Sequence, residues 1–288
     1  MYLEVLRRNK NDCIFGLKAG ATQNSDVINN YYSNTATSGI TLEELRNPEV
    51  KERLLAKYES CTKNGKILCV PIFKTGHANM LVFNYHLKQI EYYEPHGTGT
   101  KPFENAVKKL ANYFNNNGTI PQSKEITTIS SAETCPKFSK ETLKIFNDNQ
   151  VLLRSQWKRK EEKDKESGLQ MFDDPTGTQY KKGVEPRGYC CMWSFLYMDY
   201  RLKNPTLPAN ELSNQLIKLA EKNPKTFFRN YIRGYTNDLL ENLIDKIGIA
   251  RLRSVNHDKI KKKEQREFLS ALILPTIKKM WKEAVGNQ

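Results

Sequence analysis

Hydrophobic and polar positions along this chain fall into two periods. The segments Ile67-Leu68-Cys69-Val70-Pro71-Ile72, 78–83 and 90–94 are short, apolar and aromatic, which predicts strands. The polar stretch Asn84–Gln89 predicts a turn joining the second to the third. A turn centred between Tyr85 and His86 makes His77 and Glu94 direct antiparallel partners. A one-residue slip would send one of the two to the other face. Helical spacing appears elsewhere. Phe103, Val107, Leu110, Ala111 and Phe114 share one face of a helix over 102–115. A second helix is expected over Thr41–Tyr58, with Thr41 as a cap before Glu43 and Glu44. From Cys190 onward, Trp193, Leu196, Tyr197 and Tyr200 recur at helical spacing behind the loop residues Pro186 and Gly188.

The remaining pattern frames this core. Thr22–Ser38 is rich in Asn, Ser and Thr, and Trp157–Ser167 is a charged linker or exposed helix. Residues 140–153 fit either a helix or a strand. Residues 209–247 and 264–284 read as helices, separated at Pro224 and near Gly248. No internal repeat is visible. The expected class is α+β, a small mixed sheet packed on a buried helix with helical extensions. Its expected parts are an N-terminal extension (1–65), a core (66–204) and a helical C-terminal region (205–288).

The residues at the predicted strand ends and helix start carry chemistry. His77 and Glu94 offer a base and an acid, and Cys190 and Cys191 offer thiols. A thiol nucleophile needs an imidazole to hold its thiolate and protonate the leaving group, and that imidazole needs a third group to orient it. A cysteine in the first turn of a helix lies beside unsatisfied N–H groups and the positive dipole end, which lower its pKa and can hold an oxyanion. Successive helical side chains diverge by about 100°, so one thiol of the pair can face His77. Spacing alone leaves open which. His86, in the predicted turn, and His96, after the acid, are read as non-reacting, though His96 is placed to shape the site.

These motifs resemble those of a known group. Gly76-His77-Ala78-Asn79, Tyr93-Glu94-Pro95-His96-Gly97 and Gly188-Tyr189-Cys190 through Trp193, then Arg201-Leu202, are similar in order to the cysteine protease clan of the adenovirus endopeptidase and the SUMO-specific proteases. They look closest to thiol proteases encoded by large DNA viruses. The resemblance covers about residues 66 to 204. It implies a permuted papain-like order His-Glu-Cys, with Cys190 as nucleophile. It also implies a Gln upstream as oxyanion donor, Gln170 in Gly168-Leu169-Gln170 being favoured over Gln179. The implied activity is cysteine endopeptidase cleavage of virion structural precursors, with no cofactor. The alternative is an isopeptidase that removes ubiquitin or a ubiquitin-like modifier. From a different class, an inactive basic nucleic-acid-binding or virion scaffold protein is the competing reading.

Composition limits the rest. The six cysteines, at 13, 61, 69, 135, 190 and 191, include no Cys-x-x-Cys pair, so no zinc or other metal site is expected. No secretory signal or apolar run of membrane-spanning length is visible, and no membrane partner is expected. The adjacent Cys190 and Cys191 suit a reducing, intracellular compartment, host cytoplasm and virion under the viral resemblance. The net charge of +14 over 288 residues is concentrated partly in Lys158-Arg159-Lys160 and Lys259–Lys263. Such runs are solvated faces or contacts to nucleic acid, and no aromatics interleave with them as a stacking surface requires.

Overall fold

The computed structural model describes residues 5–6, 8–11, 13, 15, 40–74, 77–97, 99–119, 125–149, 168–169, 190–224, 226–227 and 234. Both basic runs, the Asn/Ser/Thr-rich stretch and the helices expected beyond Pro224 lie outside them. The architecture is mixed, helices around a small mixed sheet. Strands β1 (Leu68–Lys74), β2 (His77–Asn84) and β3 (Gln89–Tyr93) are antiparallel neighbours, and β4 (Thr127–Ile129) lies parallel beside β3. Every residue of β2 from Ala78 to Asn84 is buried, so this strand is covered on both faces. That explains why its sequence is an almost continuous apolar run rather than an alternation.

Each face of the sheet has its own helical layer. Val70, Ile72, Leu81, Phe83 and Tyr92 form one core with Tyr58 of α2 (Pro48–Lys63) and Phe103, Leu110 and Phe114 of α3 (Lys101–Asn117). Cys69, Met80, Val82 and Tyr93 form the other with Trp193, Leu196 and Tyr197 of a later helix, Cys190–Lys203. Burying each such Leu or Phe contributes about 1.5–3 kcal/mol. The expected single helix over Thr41–Tyr58 is two, α1 (Leu42–Arg46) and α2. Pro48 disfavours the helical conformation at Asn47, which is extended at φ −66°, ψ 127° and whose side chain caps α2. Thr41 and Glu44 form a reciprocal capping box at the start of α1.

The hairpin register differs by two residues from the expected one. Met80 faces Tyr93 and Asn84 faces Gln89. The turn is centred one residue later because the Asn84 side-chain oxygen accepts from the backbone of both His86 and Leu87, and Lys88 closes the turn at φ +53°. A shift of two preserves which side chains share a face.

After α3, the chain returns to form β4, then the short α4 (Ser131–Thr134) and α5 (Lys140–Asp148), which makes the first part of the ambiguous 140–153 segment helical. Ser139 caps α5 by accepting from the Thr142 backbone. The last two described helices are α6 (Cys190–Lys203) and α7 (Ala209–Lys222).

The N-terminal residues are built into this framework. Val5 and Leu6 are buried in the α6-side core, and the Asn9 amide donates to Asp199 of α6 at 2.7 Å. Cys13 is disulfide-bonded to Cys61 of α2, whereas Cys69, Cys135, Cys190 and Cys191 form no disulfide. A pairing across 48 residues leaves no local signature in the sequence. Among the described residues no helix is long and apolar enough to cross a membrane.

Candidate active site

β2 opens with His77, and the turn after β3 opens with Glu94. Their side chains meet, with His77 Nε2 2.7 Å from Glu94 Oε1. Extending the observed ladder sets Asn79 opposite Glu94 and places His77 two positions further, on the same face. The imidazole therefore reaches the carboxylate diagonally. The acid is fixed by its own turn. Glu94 Oε1 also accepts from the His96 backbone at 2.9 Å, and the Glu94 carbonyl accepts from Gly97, which sits at φ +69°. The His96 ring stacks on His77 with centroids 4.9 Å apart, so His96 limits how far the imidazole can rotate.

Cys190 is the first residue of α6 and is buried. Its sulfur accepts from the Ala78 backbone N–H at 3.3 Å, and one helical turn later the Ser194 hydroxyl donates to the Ala78 carbonyl at 3.2 Å. One peptide-linked residue of β2 thus holds two successive turns of α6, and it is the residue after His77. A hydrogen bond also links Cys190 to the His77 side chain. Burial alone would lower the His77 pKa. The bonds to Cys190 and Glu94 and their negative charge outweigh it and raise the imidazole to about 9. Burial and the neighbouring Cys190 also push the Cys191 thiol up, to about 12, which for a thiol favours the neutral form. It stays protonated at neutral pH.

A buried network fixes α6 against β3. Arg201 Nε lies 2.9 Å from Glu91 Oε2, and neither side chain is exposed. The Tyr197 hydroxyl donates to the same oxygen at 2.8 Å, and the Tyr197 ring stacks on Tyr93 at 4.2 Å. Arg201 also donates to the Asn204 and Leu207 carbonyls at 2.9 and 2.5 Å, closing the loop after α6. Burial raises the Glu91 pKa, opposed by Arg201 and by the hydrogen bonds from Tyr197 and Asn84. The sequence reading singled out Arg201 as part of a motif but missed Glu91. The available signal was a charged residue at an inward position of an otherwise apolar strand, Ile90-Glu91-Tyr92-Tyr93.

The segment before the proposed oxyanion donor is also pinned to the site. Gly168 is at φ +95°, and a Cβ there would lie 2.6 Å from Cys135 Sγ and 2.8 Å from the Pro95 carbonyl oxygen. Glycine is required by both conformation and space. The next residue, Leu169, donates its backbone N–H to Cys135 Sγ at 3.4 Å. Gln170 and Gln179 themselves lie outside the described residues.

No metal site was expected from the cysteine spacing. Nevertheless, the ligand atoms of His77, Glu94 and His96 lie within 4.8 Å of one another. Two imidazoles and a carboxylate suit zinc. A cation there would occupy the His77 and Glu94 atoms that now hydrogen-bond to each other.

The comparisons with known proteins correct the clan resemblance. No family model matches the chain, and no solved structure matches it. The chain is 25% identical over 178 residues to a protein of Acanthamoeba polyphaga mimivirus described as "Putative ankyrin repeat protein". That match covers 60% of this chain and 20% of the relative, so the chain spans about a fifth of that protein's length. It carries no protease family with it, and membership of the adenovirus endopeptidase and SUMO-protease clan is withdrawn. The physical reason is that the likeness rested on a few residues around a reactive constellation. Such constellations recur on unrelated folds and do not establish descent.

Proposed function

We propose that this chain is a thiol-dependent hydrolase, a cysteine endopeptidase in which Cys190, His77 and Glu94 act together. The observation that carries the proposal is the His77 imidazole, bonded to Glu94 at 2.7 Å and also to the Cys190 thiol. An imidazole raised to about 9 is largely protonated at neutral pH, so it can stabilise a thiolate and give a proton to a leaving amine. The Ala78 N–H adds a further donor to the sulfur.

In the proposed reaction the Cys190 thiolate attacks a peptide carbonyl carbon, forming a C–S bond. The C–N bond then breaks, and the imidazolium of His77 passes its proton to the departing nitrogen. Water, deprotonated by His77, attacks the thioester and releases the acid and the thiol. Glu94 keeps the imidazole oriented and stabilises its charged form. The backbone N–H at the start of α6 and the side chain of Gln170 hold the oxyanion. Gln170 is preferred to Gln179 because it directly follows Leu169, which is anchored beside Cys135 and close to the turn that carries Glu94. The chain order His-Glu-Cys, with the sheet before the nucleophile helix, corresponds to a permuted papain-like arrangement.

With the clan resemblance withdrawn, the narrower substrates it implied lose their footing. The bonds that the chain would cleave are peptide or isopeptide bonds. The Cys190–Cys191 thiols and the Cys13–Cys61 disulfide point to opposite redox settings. The test is hydrolysis of an unbiased peptide library, followed by mass spectrometry. Cleavage by the wild-type chain that disappears with Cys190→Ala supports the proposal. Cleavage that persists in Cys190→Ala, or none in either, contradicts it.

A further inference from the structure

A second feature lies on the opposite side of the sheet from the thiol. Where α1 meets α2, and along the outer face of α3, the surface closes into a groove of about 730 Å3. Five cations line it: Arg46 and Lys51 from one wall, and Lys101, Lys108 and Lys109 from the other. No acidic residue lines it. Two acids near these cations in sequence are directed elsewhere. Glu44 accepts from the Thr41 backbone, and Glu104 accepts from the Ser131 hydroxyl. Among the described residues none of the five cations has a carboxylate partner within ion-pair distance.

This clustering has an electrostatic cost. Like charges gathered in a concavity repel one another, and a concave low-dielectric wall focuses their field. An anion of high charge density removes that repulsion and gains charge-assisted hydrogen bonds. The groove also carries two amide side chains, Asn105 and Asn112, and its floor is set by Leu45 and Ala106. The α3 residues at 101, 105, 108 and 112 follow helical spacing along one face, opposite the buried Phe103, Leu110 and Phe114.

We propose that this groove binds a compact polyphosphate, a small molecule carrying several phosphate groups on one scaffold. Its volume falls in the range of small-molecule sites. Cations on both walls suit an anion that fills the space between them, whereas a nucleic-acid strand tracks an extended stripe. No aromatic side chain lines the groove, so it lacks the stacking platforms used to hold single-stranded bases. The site is separate from the thiol. α3 packs on the sheet face that carries Leu81 and Phe83, and α6 packs on the face that carries Met80 and Val82.

The experiment is isothermal titration of the 288-residue chain with inositol hexakisphosphate at about 150 mM salt, where surface charge is screened beyond ~8 Å. Saturable binding at one site is expected. Lys101→Gln with Lys108→Gln is expected to weaken it at least ~tenfold, while Lys218→Gln with Lys222→Gln, the same charge change on exposed positions of α7, shifts it less than ~twofold. Unchanged melting temperatures check that both pairs still fold. No saturable binding, or equal weakening by the two pairs, overturns the proposal, because binding would then follow net charge alone. So does a 20-base-pair duplex whose binding depends on Lys101 and Lys108 while that of the hexakisphosphate does not.

Discussion

His77 and Glu94 hydrogen-bond at 2.7 Å although the strand ladder does not set them opposite each other. The turn that Gly97 closes folds the carboxylate back toward the imidazole. Glu94 should therefore contribute through both its geometry and its charge. Glu94→Gln keeps a hydrogen-bonding oxygen but loses the charge that stabilises the imidazolium. Turnover is expected to fall substantially without vanishing, and Glu94→Ala to fall further. Steady-state kinetics on one cleavable peptide check this, and wild-type rates in Glu94→Ala would place the carboxylate outside the chemistry.

The pH dependence follows from the raised imidazole. Hydrogen bonds and charge from Cys190 and Glu94 raise the folded His77 to about 9, above the ordinary imidazole value of 6.5. Its stabilising contribution is thus complete below 6.5 and is lost as pH rises through about 9. Turnover that needs the imidazolium should fall on an alkaline limb near 9. Glu94→Gln removes one of the groups that raise the value, so the limb should move toward lower pH. A limb that stays in place in that variant would show that another group titrates there.

The Glu91–Arg201 pair predicts an asymmetry in stability. Removing one partner leaves a buried charge unpaired, a change that costs about 3–5 kcal/mol in comparable sites. Arg201→Met and Glu91→Gln should each lower the melting temperature strongly. The double variant should lose less than the sum of the two, because neither charge is then left alone. Additive losses in urea unfolding would mean that the two side chains are not coupled.

Loss of a side-chain oxyanion donor typically costs about 3 kcal/mol, roughly a hundredfold in turnover. Gln170→Ala is expected to lower turnover on that scale with little change in KM or melting temperature, and Gln179→Ala to be mild. Single-substrate kinetics on both variants decide between them. The reverse pattern would move the donor to Gln179, and two mild variants would leave the backbone of α6 as the main donor.

Much of the candidate site's geometry was legible because its residues sit at punctuated positions. His77 begins an apolar strand, Glu94 precedes Pro95, and Cys190 opens a run at helical spacing. The face shared by His77 and Glu94 survived an error of two in the register because the period of a strand is two. The error itself came from Asn84, whose side chain bonds two later backbone N–H groups and moves the turn, a choice that polar composition does not encode. β4 escaped because three residues, Thr127–Ile129, are too few to show a period and depend on β3 for their pairing. The Glu91–Arg201 contact and the basic groove unite residues far apart in the chain, so their proximity depends on packing. The clan resemblance failed for the converse reason. Local motifs can match where the whole chain does not.

The central claim is that Cys190 is the reactive thiol and Cys191 its inert neighbour. The most direct test is labelling of the folded chain with a limiting amount of iodoacetamide at neutral pH, followed by peptide mapping. The account predicts that Cys190 is modified first, that His77→Ala slows this modification strongly, and that Cys191→Ala leaves it unchanged. Preferential modification of Cys191, or a Cys190 rate indifferent to His77→Ala, would contradict it.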